Sequence, residues 1–209
     1  MSQQRIAIQW SALTQVSEKS GSYTKAVDLS TAKDMVSLET EKPFVVYLTS
    51  SDEDDKSSQD VVENTTFKDE RIAITAKFFG MYKGTGELIT KEHPYAPWLG
   101  GRKLPRIVVF NSSGDQIGKL EGRVSPSKLV ALMAKAATKS GFKSLDSKIK
   151  EYQKFLTEID KIETKKQALA VKEKNAETKA RKEEIDKEKK ELAEQEEILR
   201  KQEEEILTQ

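Results

Sequence analysis

The chain has 209 residues, a formal net charge of +1, 34% charged residues and no cysteine. Without cysteine it can carry out no thiol-disulfide exchange, form no disulfide and build no thiolate metal site. The balanced charge offers no basic face to displace counterions from nucleic acid, and no apolar run approaches the ~20 residues of a membrane-spanning helix.

Composition divides the length unevenly. Both Trp, all five Pro and all ten Gly lie at or before Phe142, while Lys143–Gln209 has neither Gly nor Pro and is dominated by Lys, Glu, Ala, Gln and Leu. The shift predicts an N-terminal arm or strand over 1–27, a globular α/β domain over 28–140 and a charged helical region over 141–209. Residues 1–20 lack the apolar stretch of a secretory signal. The chain therefore reads as cytoplasmic as written, or periplasmic or secreted if a signal has been removed.

In chain order, Ile6, Ile8 and Trp10 alternate with polar residues as a short strand or an anchored arm, and Ser17–Thr24 reads as loop. Asp28 or Ser30 can cap a helix through Ala32, Met35, Val36 and Leu38, stopped at Lys42–Pro43. Phe44–Leu48 is a continuous apolar run of the length of a buried central strand. The polar loop from Thr49 to Lys56 opens a helix carrying Val61, Val62 and Phe67. Ile72–Ile74 and Lys77–Tyr82 predict a helix end and then a strand, and residues 83–103 are broken by Gly and Pro. Arg106–Phe110 is a second buried strand, Asn111–Asp115 a turn, and Gln116–Leu120 the return strand. Ser125–Pro126 then opens a helix containing Leu129, Val130, Leu132 and Met133. Interleaved strand and helix signals make the class α/β.

This order, with Lys42–Leu48 as central strand and Leu104–Pro105–Arg106–Phe110 as a strand entered through proline, resembles the thioredoxin fold over roughly residues 28–138. Thr66–Ile72 is similar to the helix-end segment of the C-terminal domain of the DsbD reductase. Val46–Leu48, Leu120–Gly122 and Ser125–Pro126 are similar to the cysteine-less UAS domains of ubiquitin-regulatory proteins, although the UBX module that normally follows them has no counterpart in the sequence. The resemblance implies a three-layer α/β/α domain and a cis Pro105. It also implies that Asp52, Glu53, Asp54 and Asp55, followed by Lys56, stand where the family carries Cys-x-x-Cys. The stretch from about Gly80 to Gly101 is longer than in a minimal member.

Three groups are candidate sites. The carboxylates at 52–55 suit the positive end of a helix dipole better than a metal, because consecutive side chains diverge and the spacing of a calcium loop is missing. Leu104–Pro105, if cis, holds Leu104 extended, able to pair with a partner strand. His93, Tyr95 and Trp98 lie in a Pro-rich insertion that either packs on its own domain or anchors a partner. No cofactor or metal is called for.

Nothing between Ser144 and the end breaks a helix, which if continuous extends roughly 100 Å. Leu145, Ile149, Tyr152, Leu156 and Ile159 form a seam of 4-3-4-3 spacing able to pack on another helix or on the globular domain, with a homodimeric coiled coil as the favoured arrangement. Beyond Leu169 the seam thins to one apolar residue in seven, with Thr178 interrupting, and charge pairs such as Glu177–Arg181, Glu183–Lys187, Asp186–Lys190, Glu196–Arg200 and Glu197–Lys201 take over. The reading is a non-catalytic thioredoxin-like interaction or assembly module with a helical spacer or oligomerisation arm and a protein partner. Alternatives are a redox-independent, chaperone-like peptide binder and a metal-dependent enzyme using the acidic loop.

Overall fold

The computed structural model describes residues 6–13, 18–19, 22–23, 42–175 and 178–208; the helix expected around Ala32–Leu38 and the Glu177–Arg181 pair lie outside the described residues. By its internal contacts the chain divides into two compact units, one spanning Ile6–Leu145 and one holding Asp146–Gln209.

The first unit is built on a five-stranded mixed sheet. Its strands are β1 (Ser11–Ala12), β4 (Phe44–Thr49), β5 (Gly80–Thr85), β6 (Arg106–Phe110) and β7 (Gln116–Glu121), in the order β1-β5-β4-β6-β7. A separate two-residue ladder pairs β2 (Glu18–Lys19) with β3 (Ser22–Tyr23), within the segment expected to be loop. β5 runs parallel to both β1 and β4, whereas β6 is antiparallel to β4 and to β7. At the N-terminus the ladder residues are Ser11–Ala12, so Ile6, Ile8 and Trp10 form the anchored arm, with Ile6 buried.

Side chains alternate across a strand, and the two central strands are buried on both faces, which explains their unbroken apolar runs. On one face Phe44, Val46, Leu48, Val108 and Phe110 pack with Tyr82, Tyr95 and Leu99. Phe44 and Phe110 stack there with centroids 4.6 Å apart. On the other, Tyr47 meets Phe67 and Trp10 at centroid distances of 4.9 and 5.6 Å. Gly118, opposite Val109, leaves room on that second face for Leu132, since a Cβ there would lie 2.7 Å from Leu132 Cδ1.

The helices of this unit are α1 (Glu53–Val61), which continues into a π-turn over Val62–Thr66, then α2 (Glu70–Thr75), α3 (Ala96–Leu99) and α4 (Pro126–Lys139). Thr66, fully buried, closes the π-turn by donating its hydroxyl to the Val124 carbonyl at 2.5 Å. Asp69 caps α2, accepting from the N–H groups of Arg71 and Ile72. Ser125 occupies the N-cap position of α4 ahead of Pro126, but its hydroxyl makes no capping bond.

The second unit consists of α5 (Leu145–Lys174) and α6 (Lys179–Thr208). The C-terminal region is thus helical as expected, but the single continuous span is not formed: α5 ends in a turn at Asn175 and the two helices pack antiparallel. Lys166 pairs with Glu196, Lys172 with Glu188 at 3.9 Å and Lys189 with Glu173 at 2.6 Å. Tyr152 donates to Glu203 at 2.5 Å, and Lys148 reaches the Ile206 carbonyl at 3.4 Å. One apolar residue per heptad is too thin a stripe to bury alone. Folded back, Ile185 and Leu192 meet Ile162 and Leu169 in one core flanked by Leu199, at the small entropic cost of closing a short turn. Asn and Thr are poor in helix interiors because their side chains compete for backbone groups, which fits α5 ending before Asn175 and α6 starting after Thr178. Leu145, Ile149, Tyr152, Leu156 and Ile159 are all buried in the single chain. Of the expected charge pairs, Glu196–Arg200 and Glu197–Lys201 form at 3.1 and 3.3 Å.

Candidate functional site

β4 ends at Thr49, and the next three residues turn the chain into α1. Asp52 is the N-cap: its extended backbone lets a carboxylate oxygen accept from the Asp54 N–H at 3.0 Å, which stabilises the helix start by about 1 kcal/mol. Glu53, Asp54 and Asp55 fill the first turn, where the helix dipole favours negative charge. Asp52, Glu53 and Asp54 are exposed and Asp55 is half-buried. Among the described residues, no group of three or more His, Cys, Asp or Glu side chains is arranged to hold a metal.

The loop is fastened from the side by Glu87, in the short 3-10 turn Gly86–Leu88. Glu87 accepts from the Ser51 N–H in a short hydrogen bond, from Ser50 Oγ at 3.0 Å and from Ser51 Oγ at 3.1 Å. Ser50 Oγ also lies 2.7 Å from Asp55, and the Ser50 N–H donates to Gln59 at 2.8 Å. One hydroxyl proton thus sits between two carboxylates. Burial pulls the Glu87 carboxyl upward, but the N–H groups of Ser51 and Glu87 and the two serine hydroxyls outweigh it and hold it below its ordinary value. A carboxylate so stabilised is a weak proton acceptor; the geometry suits holding the loop in place.

Leu104–Pro105 is a cis peptide at the mouth of β6. The Pro105 carbonyl accepts from the Gly122 N–H at 2.8 Å, locking the start of β6 to the end of β7. The Leu104 side chain rests on Gly86, where a Cβ would lie 2.2 Å from Leu104 Cδ2. Among the described residues the Leu104 N–H and C=O have no hydrogen-bond partner. The residues beside this peptide wall a cleft of about 500 Å³ lined by Asp55, Ser58, Arg102, Lys103, Leu104, Glu121, Gly122 and Arg123. Of the four acidic residues at 52–55, Asp55 reaches this cleft.

The cleft rests on a buried guanidinium. Arg106, 3% exposed, donates Nε to Glu121 Oε1 at 3.1 Å and Nη1 to the Leu99 carbonyl at 2.6 Å. Glu121 also accepts from the Arg102 N–H at 3.1 Å. Lys119 donates to the Gly100 carbonyl, and its ammonium is pulled below the ordinary lysine value by burial first and by Arg106 second, against the opposing charge of Glu121. Gly101 has no room for a Cβ, which would lie 2.0 Å from Glu121 Oε1.

The insertion candidates have a different role. Tyr95 is buried at 3% exposure, and Trp98 packs at the edge of the same core. His93 accepts the Tyr95 N–H at 3.1 Å and meets the Tyr95 ring at 5.0 Å. Tyr95 and Trp98 are therefore fastened to the sheet face opposite Tyr47, with Leu104 against the same core, and none of His93, Tyr95 and Trp98 lines the cleft.

Sequence reasoning did not single out Glu87, Arg102, Arg106, Glu121 or Arg123. The one signal for the clamp was a charged residue opening an otherwise apolar strand, Arg106 before Ile107–Phe110, with an acid at the end of the return strand. No protein-family model matches the chain, and no curated protein matches it in sequence.

Proposed function

We propose that this chain is a catalytically inactive, thioredoxin-like interaction or assembly module carrying a helical hairpin as its arm. The observation that carries the reading is the cleft beside Leu104, which the start of α1 reaches through Asp55. In the thioredoxin-like reading, the cysteine pair would stand at that helix start, where this chain has Asp52–Asp55. The order β1-β5-β4-β6-β7, with β6 antiparallel to both of its neighbours, supports the same reading. One oxygen of Asp52 accepts from the Asp54 N–H and one of Asp55 from Ser50 Oγ, which fits a helix start better than a metal-dependent enzyme.

A second reading, a redox-independent peptide binder, is favoured by the unspent backbone of Leu104, which is of the kind that pairs with an added strand. Affinity purification with the full chain and with residues 143–209 removed tests the first reading. Partners retained by the shorter chain are bound by the domain, and partners lost with 143–209 are bound by the hairpin. Specific partners in neither preparation, with both chains folded, overturn the interaction role.

A further inference from the structure

We propose that the cleft beside Leu104 selects an acidic, extended peptide segment of a partner, held by Arg102, Lys103 and Arg123. The inference rests on the interaction-module reading and adds to it the chemistry of what is bound.

The charge of the cleft follows from which of its groups are already used. Two carboxylates line it, and both are engaged by the chain itself. Asp55 accepts from Ser50 Oγ, and Glu121 is held by the Arg106 guanidinium and the Arg102 N–H. None of the three cations is paired with a carboxylate among the described residues. Arg102 and Lys103 are exposed and form no ion pair among the described residues, and Arg123 donates Nη2 to the neutral hydroxyl of Ser57 at 2.6 Å. With Glu121 neutralised by Arg106, the lining sets three cations against the single charge of Asp55, so a ligand meets a net positive cleft.

The shape favours a chain over a small anion. The cleft is lined from the side of α1 at Asp55 and Ser58, past Arg102–Leu104, to the end of β7 at Glu121–Arg123. The Leu104 N–H and C=O supply the donor and acceptor that an extended peptide needs in order to add as a strand. A Cβ placed on Gly122, at φ +65°, meets nothing within 4 Å, so the wall opposite is open to a ligand side chain. The Arg106–Glu121 pair and the Gly122–Pro105 hydrogen bond fix both walls before anything binds, which lowers the ordering cost of association.

The test uses the full chain and three fluorescein-labelled, acetylated and amidated peptides in which valine alternates with glutamate, glutamine or lysine. Fluorescence anisotropy is read at low and at physiological salt. The glutamate peptide is expected to bind at least tenfold more tightly than the glutamine peptide, with affinity falling as salt rises, and the lysine peptide more weakly still. Arg102→Gln/Lys103→Gln/Arg123→Gln, at exposed positions, is expected to remove that preference while circular dichroism and the melting temperature stay unchanged. N-methylation of the central amides in the glutamate peptide is expected to weaken binding about tenfold. An unaffected methylated peptide, or competition by free glutamate or inorganic phosphate at equal concentration, overturns the extended-peptide part. Equal binding of the glutamate and glutamine peptides overturns the acidic selectivity and leaves the interaction module standing. Binding of none of the three overturns the inference, whereas loss of all partners in the affinity purification overturns the reading beneath it.

Discussion

Arg106 and Glu121 face each other across the β6–β7 ladder, and their 3.1 Å ion pair ties the loop after α3 to the floor of the cleft. Removing the acid leaves a nearly buried guanidinium without its counter-charge, a change that costs about 3 kcal/mol when the partner charge stays behind. Glu121→Leu is expected to lower the unfolding free energy measured by urea titration by that amount. Arg106→Met/Glu121→Leu is expected to recover part of the loss, because no charge is then stranded. A double variant as unstable as the sum of the two singles would show that the pair does not act as a unit.

Gly101 is required by the same pair. A methyl group there would lie 2.0 Å from Glu121 Oε1 and 2.4 Å from Arg106 Nε. Gly101→Ala is expected to destabilise the chain by about 1–3 kcal/mol, and adding Glu121→Leu on top of it should cost less than Glu121→Leu alone. Denaturant titration of the three variants measures this directly.

Glu87 makes the loop at Ser50–Ser51 sensitive to acid. Its folded carboxyl titrates below its ordinary value of 4.5. The contribution is therefore whole above that pH and is lost as pH falls through the lower, folded value. Glu87→Gln is expected to flatten the acid limb of a plot of urea midpoint against pH below about 4.5, leaving other carboxylates to define what remains. An acid limb identical to that of the parent chain would remove Glu87 from this role.

The hairpin predicts distances that a single rod does not. Lys161 and Arg200 oppose each other in the register set by Lys166–Glu196, yet in a continuous helix they would be roughly 60 Å apart. Spin labels on Lys161→Cys and Arg200→Cys are expected to lie within about 20 Å, given helix axes about 10 Å apart. Glu196 is held below its ordinary value by the Lys166 hydrogen bond first, with burial opposing and Arg200 assisting. Glu196→Ala should accordingly loosen the hairpin and make its second helix easier to cleave with protease.

The elements of the sheet were legible because burial on both faces writes strands as apolar runs, and Phe44–Leu48 and Arg106–Phe110 lie in β4 and β6. Asp52 at the helix start was legible for a local reason, as capping involves residues two or three apart. The hairpin was not, because helix propensity is local whereas the return of Ile185 and Leu192 onto Ile162 and Leu169 depends on contacts distant in sequence. The cleft was hidden for the same reason. Arg102, Glu121 and Arg123 gain their meaning only when the β6–β7 register brings Arg106 beside Glu121. The aromatic insertion showed its composition but not its direction; Tyr95 turns inward to the sheet.

The central claim is that this domain engages a partner protein through the cleft beside Leu104, and a photo-crosslinking residue at position 103 of the full chain tests it most directly. Irradiation in the extract of the native source, with the same residue at Lys135 on the exposed side of α4 as the control, should give a discrete protein adduct from 103. The adduct should disappear when Arg102→Gln and Arg123→Gln are added. A folded chain that gives no adduct at 103, or gives the same adducts at 103 and 135, would contradict the account.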